Sequence, residues 1–329
     1  MRSIPFYPMM VLVLIGLGGY LGCDPNSIQL PADSNLTATR ADSGGNDLNG
    51  TVMGAIPKRQ PTTVLIGSFN LQRLGPSKLS DSWVMEKLAA IITRFDVIAL
   101  QEITSSDQRT LPQLVEIANR AGGQYSYTIS PRIGRTPRYL EQYAFVFDTS
   151  RIRSGPEYSY VVRDDQDVLH REPFVGRFET NSNPPFGFTL INIHTDPDEI
   201  ATELDVLADV FVNVRQYEYP EDDVILLGDL NAQPSRFQKL GAIHGLMPLI
   251  SDGVFTNTRR NRTLDNILAD GQLTREFTGR AGTIDLEQMF GVQLQDAERI
   301  SDHLPVWAEF SINEATVSAM ASTTSAPIR

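Results

Sequence analysis

The sequence is poor in cysteine, in histidine and in positive charge. Its 329 residues include one cysteine, Cys23, so no disulfide can close within the chain. Whatever fold forms must be held by a packed core, and a hydrophobic content of 41% can supply one. Lys and Arg number 28 against 40 Asp and Glu, a formal net charge of -12. That balance excludes a protein that grips polyanions through a broad basic face, because such binding rests on neutralising phosphates. It leaves room for a site that meets a phosphate with a few cations, and for metal ligands, which are themselves acidic. Only four histidines occur, His170, His194, His244 and His303. Long apolar runs are also scarce.

The one such run, Met9 to Gly22, follows Arg2 and precedes Cys23. It is too short for a comfortable membrane-spanning helix and suits the core of an export signal. Residues 1–23 resemble a bacterial lipoprotein signal in which Cys23 carries the lipid, although Tyr20 stands where that signal usually has Leu. The expected location is therefore extracytoplasmic, either anchored to the cell envelope or secreted. Residues 24–61 contain no aromatic residue and are rich in Asn, Asp, Ser, Thr, Gly and Pro. Such a stretch cannot bury enough surface to fold and reads as a tether. The tail, 313–329, has similar composition. Between them, 62–312 is the length of one α/β domain.

Periodicity gives that domain its elements. TTVLIGSFN, DVIALQ, YAFVF, GFTLINIH, DVILLGD and VWAEF read as strands. Val84, Leu88, Ile91 and Phe95 recur at helical spacing behind a capping Asp81. Two further apolar stripes, Leu111, Leu114, Val115, Ala118 and Ile200, Leu204, Leu207, Phe211, Val214, mark two more helices. Early strands alternate with helices and middle strands follow one another, which predicts a layered α/β domain.

Several of these strands end in a residue that is costly to bury: Asn70, Glu102, His194, then Asp229 with Asn231, and at a strand start Asp302 with His303. One such ending is ordinary, and a lone Asp-His pair is usually a turn. Five endings drawn from the acid-base and metal-ligand alphabet point to a site on one rim of a sheet. Asn70, Glu102 and Asp302 are hard oxygen donors suited to Mg²⁺, Mn²⁺ or Ca²⁺. His194 and His303 titrate near neutrality. His170 and His244 read as surface or loop residues.

The ordered set SFNLQRLG, DVIALQE, RYLEQYAFVF, HREPFVGRF, INIHTDP, GDLNA, TLDNI and ISDHLPV resembles the endonuclease/exonuclease/phosphatase superfamily, and within it deoxyribonuclease I, over about residues 64–310. The resemblance implies a four-layered α/β sandwich with two mixed β-sheets packed face to face and helices outside. It implies that Glu102, with Asn70 and Asp302, holds a divalent metal, Mg²⁺ first and Mn²⁺ or Ca²⁺ after it. It makes His194 and His303 the catalytic histidines, with Glu141 and Asp265 as their carboxylates. Asp229 and Asn231 would lie against the scissile phosphate, Arg171 would reach it, and Tyr139 would contact DNA.

The implied activity is an exported endonuclease acting on DNA as a monomer, touching a membrane only through Cys23. Three departures weaken the fit to ordinary double-stranded DNA: Gln72, Thr104 and Asn266 stand where the family carries basic residues. Competing readings are a phosphoesterase of the same superfamily acting on a phospholipid or small ester, and an inactive surface-binding lipoprotein. REPF and HTDP favour the nuclease, and the retained histidines and carboxylates oppose the inactive scaffold.

Overall fold

The computed structural model describes residues 50–52, 57–136, 139–218 and 223–314. The expected signal segment, Cys23, most of the tether and the tail from residue 315 lie outside the described residues. Among the described residues no helix is long and apolar enough to cross a membrane.

Strands in chain order are β1 (Gly50–Val52), β2 (Thr63–Leu74), β3 (Val97–Ile103), β4 (Tyr125–Ile129), β5 (Gln142–Asp148), β6 (Ile152–Arg153) and β7 (Ser159–Val161). They continue as β8 (Phe174–Thr180), β9 (Gly187–His194), β10 (Val224–Asp229), β11 (Leu246–Pro248), β12 (Asp265–Asp270), β13 (Phe277–Thr283) and β14 (Val306–Ser311). Helices are α1 (Pro76–Leu79), α2 (Ser82–Ile92), α3 (Thr110–Arg120), α4 (Ile200–Tyr217), α5 (Gln238–Gly241), α6 (Leu286–Phe290) and α7 (Leu294–Ile300).

One sheet runs β1-β13-β14-β2-β3-β5-β4, and the other β11-β12-β10-β9-β8-β6 with β7 also on β8. Each is mixed: β2 and β3 pair parallel, as do β9 and β10, among antiparallel neighbours. Strand β1 pairs parallel with β13, within the stretch assigned to the tether, and Arg59 is bonded to Asp96 and Asp148. Described contacts to the sheets thus include residues upstream of 62.

Side-chain parity divides the core in three. On β2, Val64 and Ile66 face one way, and Leu65 and Phe69 the other. The first set joins Ala99, Phe145, Phe188, Leu190, Leu227 and Ile267 between the sheets. The second packs on α2 and α3 through Leu88, Ile91, Leu114 and Ala118. On the far side, Leu204, Leu207, Phe211 and Val214 of α4 cover Ile191, Ile193 and Leu226. Three cores separate four layers, helices-sheet-sheet-helices, as the resemblance implied. The Asp81 cap forms, accepting from the Val84 N–H at 3.2 Å.

Candidate active site

The inner rows run out of apolar residues at one rim. Ile66 is followed at the same parity by Ser68 and Asn70, Leu190 by Asn192 and His194, and Ile225 and Leu227 by Asp229. Strand β12 runs antiparallel to β10, so its first residue, Asp265, sits opposite Asp229. Residue Asp229 is also in register with His194. A period of two therefore carries an apolar row from between the sheets straight into a polar cluster at their edge.

Each histidine has its carboxylate. His194 Nδ1 lies 3.0 Å from Glu141 Oε1, and His303 Nδ1 lies 2.9 Å from Asp265 Oδ2. Both Nε2 atoms turn to one oxygen, Asp229 Oδ2, at 3.5 Å each. All five side chains are buried. Burial opposes the charged imidazole of His194, but Glu141 outweighs it and raises the pKa. Burial is likewise overcome at His303 by Asp265 and Asp229, and its pKa is also raised. Burial alone would push the Asp229 carboxyl up; the two histidines hold it below its ordinary value. Burial prevails at Asp265 and raises it.

Asn70 Nδ2 donates to Glu102 Oε1 and to Asp229 Oδ2 at 3.0 Å each, so it joins the acidic rim to the histidine pair. Two carboxylates bridged by one neutral amide are a donor set of hard oxygens, which fits a divalent cation of the Mg²⁺ or Ca²⁺ kind. Asp302 is exposed, with Oδ1 4.0 Å from His303 Nε2. Glu102 and Asn70 are hydrogen-bonded to each other, Asp302 lies on the His303 side, and the ligand atoms that converge within 4.8 Å at this centre belong to Asp229, Asp265 and His303. Glu102 and Asn231 both have left-handed backbones, φ 58 and 49. Such strain on non-glycine residues persists only where surrounding bonds fix it. Glu102 Oε2 accepts from the Arg73 N–H, and the Asn231 side chain donates to the Thr195 carbonyl.

Arg171, expected to reach the phosphate, sits against the strand end of His194. It is buried behind the Glu141–His194 pair, with Nε donating to the His194 carbonyl and a terminal nitrogen to the Thr195 carbonyl, both at 2.9 Å. Those two donors brace the strand end that carries the histidine. Tyr139 is 58% exposed on its loop. Asn266, one of the departures, is buried and bonds both backbone groups of Ile250.

Three residues that matter here were not singled out in the sequence. Tyr143 accepts from the His194 N–H at 2.9 Å, and Thr256 Oγ1 donates to Asp265 Oδ2 at 2.7 Å. Lys78 Nζ donates at 2.6 Å to the carbonyls of Leu71 and Ile300, fastening β2 beside Asn70 to the end of α7 just before Asp302. Burial pulls that ammonium down to about 8, against the pull of Asp302 and Glu102. Tyr143 was visible as an inner-row aromatic of a strand; Thr256 and Lys78 carry no signal in spacing.

Residues 67–303 match the family model described as Endonuclease/Exonuclease/phosphatase family. Deoxyribonuclease-1-like 1 of Sus scrofa is 36% identical over 257 residues, 75% of this chain and 80% of that protein. Deoxyribonuclease gamma of Rattus norvegicus is 32% identical over 264 residues, 75% and 84% of the two chains. A solved family protein from Bacteroides thetaiotaomicron matches with TM-score 0.54 at 18% identity, over 78% of this chain and 100% of its own. D. rerio TDP2 complexed with single-strand DNA product matches with TM-score 0.52 at 18% identity, over 76% and 99%. With the ordered motifs, the two mixed sheets and these relatives in agreement, the chain belongs to the endonuclease/exonuclease/phosphatase family, and it is a hydrolase of phosphodiester bonds.

Proposed function

We propose that this protein is an exported, metal-dependent endonuclease that cleaves DNA with two histidine–carboxylate dyads. The observation that carries the reading is the approach of both Nε2 atoms to Asp229 Oδ2 at 3.5 Å, with a carboxylate behind each ring. Hydrolysis forms a bond from water oxygen to phosphorus and breaks the bond from phosphorus to the leaving oxygen. A neutral histidine takes the proton that water loses; a protonated one gives its proton to the leaving alkoxide. With Nδ1–H held by Glu141 or Asp265, each ring presents Nε2 to the phosphate side, as a lone pair when neutral and as N–H when charged. Asp229 steadies the charged ring, and Asn231 lies beside the same phosphate. Glu102, Asn70 and Asp302 would hold the divalent cation, which supplies charge neutralisation on the phosphoryl oxygens.

Support for nucleic acid over a phospholipid comes from relatives named deoxyribonucleases and from the neighbour holding a DNA product. The test is the purified protein on plasmid DNA, RNA and a lipid phosphodiester with Mg²⁺, Mn²⁺, Ca²⁺ or EDTA. DNA cleavage that needs a divalent cation is expected, and Glu102→Gln should raise the metal concentration required and lower the rate. Full activity in EDTA, or an unchanged metal titration in the variant, contradicts the metal assignment. Export and the lipid at Cys23 rest on the residues around YLGC. Mass spectrometry of the mature N-terminus should find a diacylglyceryl Cys23; a free amino terminus beyond it removes the anchor.

A further inference from the structure

Two cavities open beside the catalytic centre. One, of about 440 Å³, is lined by Asp302, His303 and Arg259 together with Asn261, Arg262 and Leu264. The other, of about 340 Å³, reaches Asn231 and Arg236 and shares Asn261, Arg262 and Leu264 with the first. They form one groove that leaves the scissile centre on the His303 side, passes Arg262 and ends at Arg236. In a chain of net charge -12, the second cavity has two arginines in its wall and no carboxylate.

The loop that carries Arg262 is held firmly. Asn257 Oδ1 accepts from the N–H groups of Asn261 and Arg262 at 3.0 and 2.8 Å. Thr256 N–H donates to the Arg262 carbonyl at 2.8 Å, and Asn257 is bridged to His303. The Arg262 backbone is therefore fixed relative to the catalytic histidine. Its neighbours are engaged: Arg259 pairs with Glu298, and Arg260 with Asp285 and Glu287. Arg262 and Arg236 are exposed and have no carboxylate within ion-pair distance among the described residues. Beside Arg236, Asp252 accepts from the Ser235 N–H at 3.3 Å, which fastens the turn that carries Arg236.

Taking the nuclease reading as given, we propose that Arg262 and Arg236 bind successive backbone phosphates of the cleaved strand beyond the scissile one, so that the enzyme selects a polynucleotide strand over a small phosphate ester. Guanidinium groups suit this role because their planar donors meet phosphate oxygens in pairs. Both contacts are to the backbone, so they carry length dependence and not base preference. They also supply positive charge to a groove in which Gln72 stands where the family carries a basic residue.

The test is binding of a fluorescein-labelled hexadeoxynucleotide in EDTA against salt, together with kcat/KM for that hexamer and for bis(p-nitrophenyl) phosphate. The wild type should show a clear salt slope and a large preference for the hexamer. Arg262→Gln and Arg236→Gln should each reduce the slope by about 0.7 and lower the hexamer-to-diester ratio several-fold. Arg262→Lys should restore most of the slope, and Arg153→Gln, at a distant surface pair, should leave it unchanged. If the wild type binds and cleaves the hexamer while both Gln variants keep its slope and ratio, this inference is overturned and the nuclease reading stands. If the wild type neither binds nor cleaves any oligonucleotide, the nuclease reading falls with it.

Discussion

At the scale of single residues, Asp229 is the centre on which both histidines depend. Its carboxylate is the charge shared by the two rings, and it raises the pKa of each. In the proposed mechanism one histidine must lose its proton to act as base, so the acid limb of the rate lies above the ordinary histidine range. The other must keep its proton, so the alkaline limb lies higher still, and the bell is centred above neutrality when chemistry is limiting. Asp229→Asn removes the shared charge and lowers both histidine pKa values. Both limbs should then move to lower pH by about 1–3 units, with a reduced maximum. A pH-rate profile of the variant whose limbs stay in place would mean that Asp229 does not act through the histidines. Arg171 illustrates what a residue's identity alone does not tell. A basic residue in REPF reads as a phosphate contact, but burial behind His194 gives two of its donors to carbonyls before any ligand arrives.

Among the elements, the junction of β9 and β10 positions three site residues, and Gly228 permits it. Its φ is 148, and an added Cβ would stand 1.8 Å from the Ile193 carbonyl oxygen. Gly228→Ala should therefore force the two strands apart beside His194 and Asp229, at a cost of roughly 2–5 kcal/mol. Thermal unfolding and activity should both fall; a variant with unchanged melting and full rate would contradict the close approach. This region was legible in the sequence because strands β9 and β10 are long, apolar and end in costly residues. Helices α2, α3 and α4 were legible for a similar reason, since a core-facing stripe repeats at helical spacing. Strands β6, β7 and β11 were not: each has two or three residues and exists because a neighbour offers a free edge. The stretch around Gln238 has no apolar periodicity, although it contains α5 and β11. Thr256 and Lys78 carry no linear signal because their roles depend on partners that meet them only in the folded chain.

On the scale of the molecule, the two sheets share one apolar interior whose inner rows surface at a single rim. The site is a by-product of that parity: Asn70, His194, Asp229 and Asp265 continue the rows that build the core between the sheets. The layers were foreseeable from alternation and from the family resemblance; the meeting of both histidines on one carboxylate oxygen was not, because register across sheets leaves no mark in linear spacing. In the proposed mechanism the two dyads act as one acid-base unit. Single-turnover cleavage of a labelled oligonucleotide by His194→Ala, by His303→Ala and by the double variant tests it most directly. Each single substitution should cost about 10²–10⁴-fold or more in rate, and the double should be little slower than the slower single, because paired groups do not contribute additively. A single variant that kept a near-normal rate across the pH range would show that its histidine is structural and would contradict the account.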